Sequence, residues 1–257
     1  MRNPARRTRP SPASRYRPEE WDMRVQLAAC YRLAAYFQMT DLIYTHFTAR
    51  VPGPEKHFLI NPYGMMFHEV TASSLVKIDL DGKVVEDNGY PVNEAGYIIH
   101  SAVHRVREDA KCVLHTHTQA GCAVSTLKEG LLPISQFANF YYGRIGYHDY
   151  EGLALDGSEC ERLARDLGDR SILILRNHGL LTCGHSVAAA FGRMLNMEKA
   201  CRIQCSALAG GHQLNIPPAE VCEHTARQFE RYPERMDEME WPALLRLIGD
   251  QESDYAR

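Results

Sequence analysis

The chain has 257 residues, of which 45% are hydrophobic and 24% charged, with a formal net charge of −3. This composition is typical of a soluble globular protein with a sizeable core, and the slightly acidic balance disfavours nucleic acid as the main partner. No apolar run approaches the roughly 18 residues that a membrane-spanning helix needs, so we expect no membrane partner.

The first 18 residues contain six arginines, four prolines and no acidic residue. Prolines interrupt the amphipathic helix that an organelle transit peptide would need. Residues 1–18 are therefore predicted to form a disordered basic arm. Residues 19–215 are expected to fold as one domain, and the charged segment 216–257 is expected to be a C-terminal extension that packs on this domain or on a neighbouring subunit.

Apolar residues that recur about every 3.6 positions predict helices at 18–39, 71–75, 93–106, 121–127, 158–167 and 186–208. Alternating or short continuous apolar runs predict strands at 42–51, 57–61, 76–80, 83–85, 111–118, 171–175 and 180–183. Residues 131–150 are predicted to mix strand and loop. Turn sequences between neighbouring strands predict hairpins, which exclude a purely parallel sheet, and the intervening helices exclude a sandwich. The fold class is therefore predicted to be α/β, with a mixed, mostly antiparallel sheet between two layers of helices.

The eight cysteines are scattered along the chain without a CxxC pair. Disulfide frameworks are typical of short secreted chains, and this chain is long. We therefore expect reduced, mostly buried thiols and a cytoplasmic protein.

The strongest functional pattern is a pair of histidines at the end of a strand. Residues 111–118 form an apolar run that ends in His115 and His117, and residues two apart in a strand project from the same face. His178 ends a second apolar strand, between Asn177 and a glycine. Three histidines without a cysteine are typical of a catalytic metal with open positions, and imidazole leaves zinc, manganese, iron and cobalt as candidates.

A divalent ion held by three neutral imidazoles keeps its full positive charge and open positions. A small hydroxyketone or oxo acid could bind it through two oxygens, and the ion would stabilise the enolate formed when a bond next to a carbonyl breaks. Retro-aldol cleavage, epimerisation and decarboxylation share this species. The pattern therefore predicts a small-molecule substrate without choosing among the reactions.

Three segments, NEAGYIIH at 93–100, CVLHTHT at 112–118 and RNHGLLTCG at 176–184, together resemble the class II aldolase/adducin family. The resemblance extends from about residue 21 to residue 209. It implies a three-layer α/β/α fold, with zinc or a similar divalent ion bound by the histidines that match the family's ligands, His115, His117 and His178. It also implies a homotetramer with active sites between subunits.

The sugar-phosphate aldolases of this family carry a Ser-Ser-Glu sequence that here falls on Glu94, Ala95 and Gly96. The family's catalytic glutamate is therefore missing from its position. Glu94 lies about half a helical turn earlier and is the predicted replacement as acid/base. Tyr141, Tyr142 and His100 are alternatives, and the two tyrosines lie where the family often has a tyrosine from the neighbouring subunit.

The family's phosphate-binding positions also differ. Its Gly-Asn-x-Ser segment corresponds to residues 45–48, and its Thr-Gly pair corresponds to Tyr63 and Gly64. Because bulky or charged groups replace small donors there, we expect a non-phosphorylated substrate that is carboxylated or aromatic. The residues predicted to bind it are His46, Arg50, Asn61, Tyr63 and Gly64, and those predicted to support the metal ligands are His100 and Asn177.

We therefore predict a divalent-metal-dependent lyase of aldolase type, which cleaves a carbon–carbon bond next to a carbonyl in a small oxo or hydroxy acid or a hydroxyketone. A decarboxylase on the same fold is the alternative, because carbon dioxide leaves without proton abstraction and needs less acid/base machinery. An adducin-like assembly module without chemistry is the third hypothesis, and the intact histidine triad argues against it.

Overall fold

The computed structural model of the chain describes residues 12–152, 157–249 and 254–257. Within them, one sheet contains the strands β1 His46–Arg50, β2 Phe58–Ile60, β3 Val76–Ile78, β4 Val84–Glu86, β5 Cys112–Thr116, β6 Ile145–His148, β7 Ile172–Leu175 and β8 Gly179–Gly184. The strand order is β4-β3-β2-β1-β5-β8-β7-β6. Only β6 and β7 of these strands pair in parallel, which confirms the predicted mixed, mostly antiparallel sheet.

Helices cover both faces of this sheet, as predicted. The helices in the described part of the chain are α1 Pro18–Tyr36, α2 Glu94–Val106, α3 Gln119–Ser125, α4 Gln136–Asn139, α5 Gly157–Leu167, α6 Val187–Ala209, α7 Ala219–Phe229 and α8 Trp241–Leu247. Along β5, Cys112 and Leu114 pack into the core that includes α1 and α6, whereas Val113 packs into the core that includes α2 and α5. Successive strand residues point to opposite faces, so the sheet lies between two helical layers.

Several local predictions are confirmed. The two hairpins form, since β1 pairs with β2 and β3 pairs with β4 in antiparallel fashion. The long helix α6 begins where its capping residue was predicted, and the Ser186 hydroxyl accepts a hydrogen bond from the backbone N–H of Ala189. Turn and cap chemistry is local, so these features follow from short stretches of sequence.

The strand predicted at 42–51 is shorter in the structure. Leu42 and Thr45 have left-handed φ angles of 47° and 66°, which an extended strand does not contain. The chain therefore turns after α1, and β1 begins only at His46.

The helix predicted at 71–75 is wrong. The Thr71 hydroxyl accepts a hydrogen bond from the backbone N–H of Ser74, and the Ser74 hydroxyl donates to the Thr71 carbonyl. Hydroxyl groups that bond to the nearby backbone compete with helix formation, and the segment forms a turn instead. The segment 131–150 contains the short helix α4 besides strand and loop.

The N-terminal arm lies partly outside the described residues, which begin at residue 12. Residues 12–18 differ from the expected disorder. Pro12–Arg15 form a 3-10 turn, and the Tyr16 ring stacks on Trp21 with ring centroids 5.7 Å apart. Aromatic packing on the first turns of α1 therefore orders the part of the arm next to it.

The C-terminal segment packs on the same core. Trp241 and Tyr255 are buried in the cluster that includes α1 and α6, and the Tyr255 carbonyl accepts a hydrogen bond from the backbone N–H of Ala72. A π-helical segment, Met236–Glu240, leads into α8. No helix in the described part of the chain has the length and apolar character needed to cross a membrane.

Candidate metal centre

A tight corner between β7 and β8 places His178 beside the end of β5. β8 pairs with β5 so that Leu180 lies opposite Thr116. Asn177 has a left-handed φ of 57°, which asparagine adopts more easily than most residues. A Cβ on Gly179 would lie 2.3 Å from the Thr116 carbonyl oxygen, so a glycine is needed for this close approach. The Asn-His-Gly sequence therefore sets the position of the third histidine.

The structure brings the three predicted histidines together. His115 Nε2 lies 2.8 Å from His117 Nε2, which lies 2.9 Å from His178 Nε2, and the ligand atoms of all three lie within 4.8 Å of one another. Zinc–nitrogen bonds are roughly 2.0–2.1 Å long, so one ion can bond to both members of each close pair.

Hydrogen bonds on the far side of two rings fix their tautomers. His115 Nδ1–H donates to the Leu180 carbonyl at 3.0 Å, and His117 Nδ1–H donates to the Asp41 carboxylate at 3.0 Å. In the neutral rings, both Nε2 atoms then carry lone pairs, which face each other at 2.8 Å. A shared cation would remove their repulsion. These side chains therefore fit a divalent metal ion, with the carbonyl and the carboxylate orienting the ligands.

Burial keeps the imidazoles in the form that binds a metal. Burial, followed by the effect of the neighbouring His178, lowers the pKa of His115 well below 6.5. Burial, followed by the effect of His117, lowers the pKa of His178 to about 4. Metal binding requires neutral imidazole, so these two rings need not lose a proton to bind an ion near neutral pH.

Asp41 is a candidate site residue that the sequence analysis missed. It lies in the turn after α1, where Asp41 and Tyr44 form an isolated antiparallel bridge. Its carboxylate reaches His117, which is 76 positions later in the chain. Neither a motif nor a periodic pattern marks such a contact, because the fold alone brings the two residues together.

Replacing Asp41 with alanine should weaken zinc binding roughly 10- to 100-fold, since metal-bound histidines depend on such acceptors for their orientation. The dissociation constant can be measured by competition with a chromophoric chelator. Asp22→Ala, at an exposed position of α1, is the matched control and should leave the constant unchanged. Equal constants for wild type and Asp41→Ala would exclude this supporting role.

Among the residues predicted to bind substrate, His46 lies beside the metal centre. It is paired with His115 across β1 and β5, and the two ring centroids are 5.3 Å apart. Arg50 donates to a backbone carbonyl of α2 at 2.9 Å, and the Asn61 side-chain oxygen accepts a hydrogen bond from the Tyr31 hydroxyl at 2.9 Å. Arg50 and Asn61 therefore make contacts within the fold.

Tyr63 and Gly64 lie in the turn after β2, where Gly64 has a φ of 99°. Tyr63 is partly exposed, and no hydrogen bond or ring contact joins it to the triad within the described residues. Glu94 is the first residue of α2, and its side chain lies outside the described part of the structure. The roles of these three residues stay predictions.

The two tyrosines predicted as acid/base alternatives lie between α4 and β6. Tyr141 is buried, its ring packs edge-on against Phe229 with centroids 5.7 Å apart, and its hydroxyl accepts a hydrogen bond from Asn196. Burial raises the pKa of Tyr141 to about 12. Tyr142 is half-buried, and its carbonyl accepts a hydrogen bond from Arg144. Within one chain Tyr141 therefore acts as a packing residue.

Two further features near the triad were not predicted. Tyr150 is exposed just beyond β6, and its ring centroid lies 6.5 Å from that of His178, edge-on. His104 lies four residues after His100 on α2, and both rings hydrogen-bond to the Thr48 hydroxyl. The spacing of the two histidines was visible in the sequence, but their shared partner on β1 was not.

Comparison with known proteins places the chain in a family. The model of the class II aldolase and adducin N-terminal domain matches residues 25–205. The chain is 51% identical over 240 residues to a Pseudomonas aeruginosa protein that carries the name aldolase class 2 protein, with 92% of each chain covered. It is 47% identical over 212 residues to alpha-adducin of Rattus norvegicus, covering 81% of this chain and 29% of the adducin.

A solved structure supports the same conclusion. The L-fuculose 1-phosphate aldolase from Glaciozyma antarctica PI12 superimposes with a TM-score of 0.81 at 25% identity, over 98% of this chain and 97% of the aldolase. Its fold is the three-layer arrangement described above. The family model, the long and similar relatives and the shared fold agree, and the chain belongs to the class II aldolase and adducin family.

Proposed function

We propose that the protein is a divalent-metal-dependent carbon–carbon lyase of aldolase type that acts on a small, non-phosphorylated hydroxyketone or oxo or hydroxy acid. The observation that carries the proposal is the convergence of the Nε2 atoms of three histidines. In two of these histidines, a hydrogen bond from Nδ1 fixes the tautomer that leaves Nε2 free to bind an ion. When bound, zinc, or alternatively manganese, iron or cobalt, would act as a Lewis acid on a substrate carbonyl and stabilise enolate charge.

The chain's own residues would supply binding and proton transfer. Glu94, in the first turn of α2, is the proposed acid/base, and Tyr141 and Tyr142 of a neighbouring subunit are the alternatives. Tyr150 is exposed beside His178 and can contact a bound substrate. We further propose a homotetramer with the site near a subunit interface, and a cytoplasmic location. The cytoplasmic location is supported by the free state of all eight cysteines, each of which lies in the described residues.

A metal-dependent decarboxylase is the second candidate. The family's catalytic glutamate would fall on Gly96, and a Cβ built there would lie 2.2 Å from the His46 ring. No side chain beyond hydrogen fits at that position while His46 keeps its place. A reaction that releases carbon dioxide needs less proton transfer, so this substitution favours it.

A binding or assembly module is the third candidate, because the similarity to alpha-adducin covers most of this chain. The triad, its supporting acceptors and the lowered pKa values of two ligands all support an enzyme instead. A protein that served only for assembly would gain nothing from neutral imidazoles that converge on one point.

Incubation of the zinc-loaded protein with a panel of hydroxyketones and oxo acids should separate the candidates. Aldehyde formation would identify an aldolase, and carbon dioxide release would identify a decarboxylase. In the condensation direction, with glycolaldehyde as the acceptor and dihydroxyacetone and its phosphate as matched donors, we expect the phosphate to leave kcat/KM unchanged or lower it, because the small donors of the family's phosphate pocket are replaced. A higher kcat/KM for the phosphate would contradict the proposed substrate class, and zinc-loaded protein inert to the whole panel would contradict the lyase.

A further inference from the structure

A row of residues on α2 lies alongside a row on β1 with nearly the same spacing. Gly96, His100 and His104 are four residues apart on the helix, and they contact His46 and Thr48, which are two residues apart on the strand. Four helical residues rise about 6 Å, and two strand residues rise roughly 6.6 Å. The two rows therefore stay aligned over their length, and each helix residue meets a strand residue.

The aligned side chains form one continuous chain of hydrogen bonds. His46 Nδ1 lies 2.8 Å from His100 Nε2, and His100 Nδ1 lies 2.6 Å from the Thr48 hydroxyl. The same hydroxyl lies 2.8 Å from His104 Nε2, and His104 Nδ1 lies 3.2 Å from the Ala110 carbonyl oxygen. The chain therefore runs from the edge of the metal centre to a backbone carbonyl.

That carbonyl fixes the direction of every bond, because it can only accept. His104 must donate from Nδ1, so its Nε2 accepts the proton of the Thr48 hydroxyl. The hydroxyl has no second proton, so His100 must donate to it from Nδ1. His100 Nε2 then accepts from His46 Nδ1–H. In this arrangement His46 is left with a lone pair on Nε2.

This arrangement requires that all three rings are neutral, and their burial favours the neutral form. The four side chains are at most 5% exposed. Burial, followed by the effect of His104, lowers the pKa of His100 well below 6.5, and burial, followed by the effect of Arg50, lowers the pKa of His104 to about 3. His46 is removed from water in the same way, and a charged ring there would be costly. Each ring therefore carries one proton, as the chain of hydrogen bonds requires.

Gly96 leaves the space that the His46 ring fills. A Cβ at this position would lie 2.2 Å from His46 Cδ2 and 2.6 Å from its Nε2. Nε2 has no hydrogen-bond partner among the residues that the structure describes, and it is not among their fully buried unpaired atoms. The ring lies against His115 of the metal centre. An unpaired acceptor thus lies next to the triad.

We propose that Thr48, His100 and His104 are positioning residues that hold His46 in its Nδ1–H tautomer, so that His46 Nε2 accepts a hydrogen bond from a substrate hydroxyl beside the metal centre. This inference rests on the proposed lyase function for its substrate, but not for the tautomer. It narrows the substrate class. A substrate hydroxyl can donate to the lone pair of His46 Nε2, whereas an ionised carboxylate or phosphate oxygen is itself an acceptor and would be repelled by that lone pair. The carboxylated group that the sequence led us to expect at His46 therefore does not fit there.

The tautomer can be read directly by nitrogen NMR of zinc-loaded protein labelled with ¹⁵N-histidine, because protonated and bare ring nitrogens resonate far apart. His46→Asn assigns the His46 signals by their loss. In wild type we expect a proton on Nδ1 of His46 and a bare Nε2. Thr48→Val removes the central hydroxyl and should give a mixture of tautomers or the reverse one, and Thr48→Ser should restore the wild-type spectrum.

Thr182→Val is the matched control. Thr182 is a buried strand residue whose hydroxyl donates to the Ala190 carbonyl at 3.0 Å, so its loss should leave the His46 signals unchanged. A proton on Nε2 of wild-type His46, or an unchanged tautomer in folded Thr48→Val, would overturn the proposal. A zinc-dependent coordination shift at His46 Nε2 would also overturn it, since His46 would then be a metal ligand. The wild-type spectrum shows the tautomer of His46 and so tests the proposal even if Thr48→Val does not fold.

Two ligands test the hydroxyl partner. Dihydroxyacetone and hydroxyacetone share one hydroxyketone group, and only the first carries a second hydroxyl. Zinc-loaded wild type should bind dihydroxyacetone roughly three- to tenfold more tightly, as one neutral hydrogen bond would give, and Thr48→Val should lose this difference. Equal affinities in wild type would contradict the hydroxyl partner. Binding of neither ligand would contradict the proposed lyase, and the tautomer result would stand by itself.

Discussion

Replacing His117 with alanine should reduce the zinc content of the purified protein from about one ion per chain to nearly none. His117 Nε2 lies within 2.9 Å of the Nε2 atoms of both other histidines, so its loss removes the central ligand. The side chain is 26% exposed, and the metal-free variant should therefore fold as the metal-free wild type does. Any lyase activity should fall with the zinc.

Metal content is measured by mass spectrometry after dialysis against a weak chelator, and folding is measured by thermal unfolding of the metal-free proteins. His68→Ala is the matched control, because His68 is an exposed histidine in a 3-10 turn, and no hydrogen bond or ring contact joins it to the triad within the described residues. Its zinc content should equal that of wild type. If wild type itself retains no stoichiometric divalent metal, the enzyme is excluded and the adducin-like module becomes the better hypothesis.

Replacing Arg24 with alanine should lower the free energy of unfolding by about 3–5 kcal/mol, because it removes one of the two cations paired with a buried carboxylate and leaves two backbone carbonyls without their donor. The Arg24 side chain is 1% exposed and lies 3.1 Å from the carboxylate of Glu20, which is 4% exposed. Arg24 also donates to the carbonyls of Ala72 and Leu75. After the substitution, Glu20 would keep only Lys77, at 2.8 Å.

Chemical denaturation of the metal-free proteins measures this effect without interference from zinc. Arg231→Ala, at an exposed position after α7, is the control and should change stability by less than about 0.5 kcal/mol. The double variant Glu20→Leu/Arg24→Met should be more stable than Arg24→Ala alone, since it replaces the buried carboxylate and the guanidinium together by apolar side chains. A loss below about 1 kcal/mol in Arg24→Ala would contradict this prediction and show that Lys77, with water, is enough to compensate the charge of Glu20.

The sheet and the triad could be predicted because their signals are local. Alternation along β5 showed which residues share a face, and it placed His115 and His117 together. The second apolar strand ended at His178, and strand ends that neighbour each other in a sheet bring their side chains together. The exceptions were also local: left-handed φ angles at Leu42 and Thr45 shortened β1 without a glycine or proline to signal the turn.

The surroundings of the triad could not be predicted in this way. Asp41 reaches His117 because the turn after α1 passes the end of β5, and no spacing in the sequence encodes that contact. Arg50 was a plausible substrate ligand by its type and position. In the structure its guanidinium donates to the carbonyl of His104, because α2 lies directly over β1.

The sequence by itself indicated the family, through three segments that resemble it, and predicted the layers and the three candidate metal ligands, because apolar periodicity and strand-end histidines are properties of short segments. Only the tertiary structure decided the tautomers of these histidines. The protonated nitrogen of a histidine depends on what its other nitrogen meets, and here the partners are Leu180, Asp41 and the chain from Ala110 to His46. In the sequence, Gly96 indicates only that the family's glutamate is missing. In the structure, α2 packs on β1 so closely that the absence of a side chain at Gly96 leaves the space for the His46 ring.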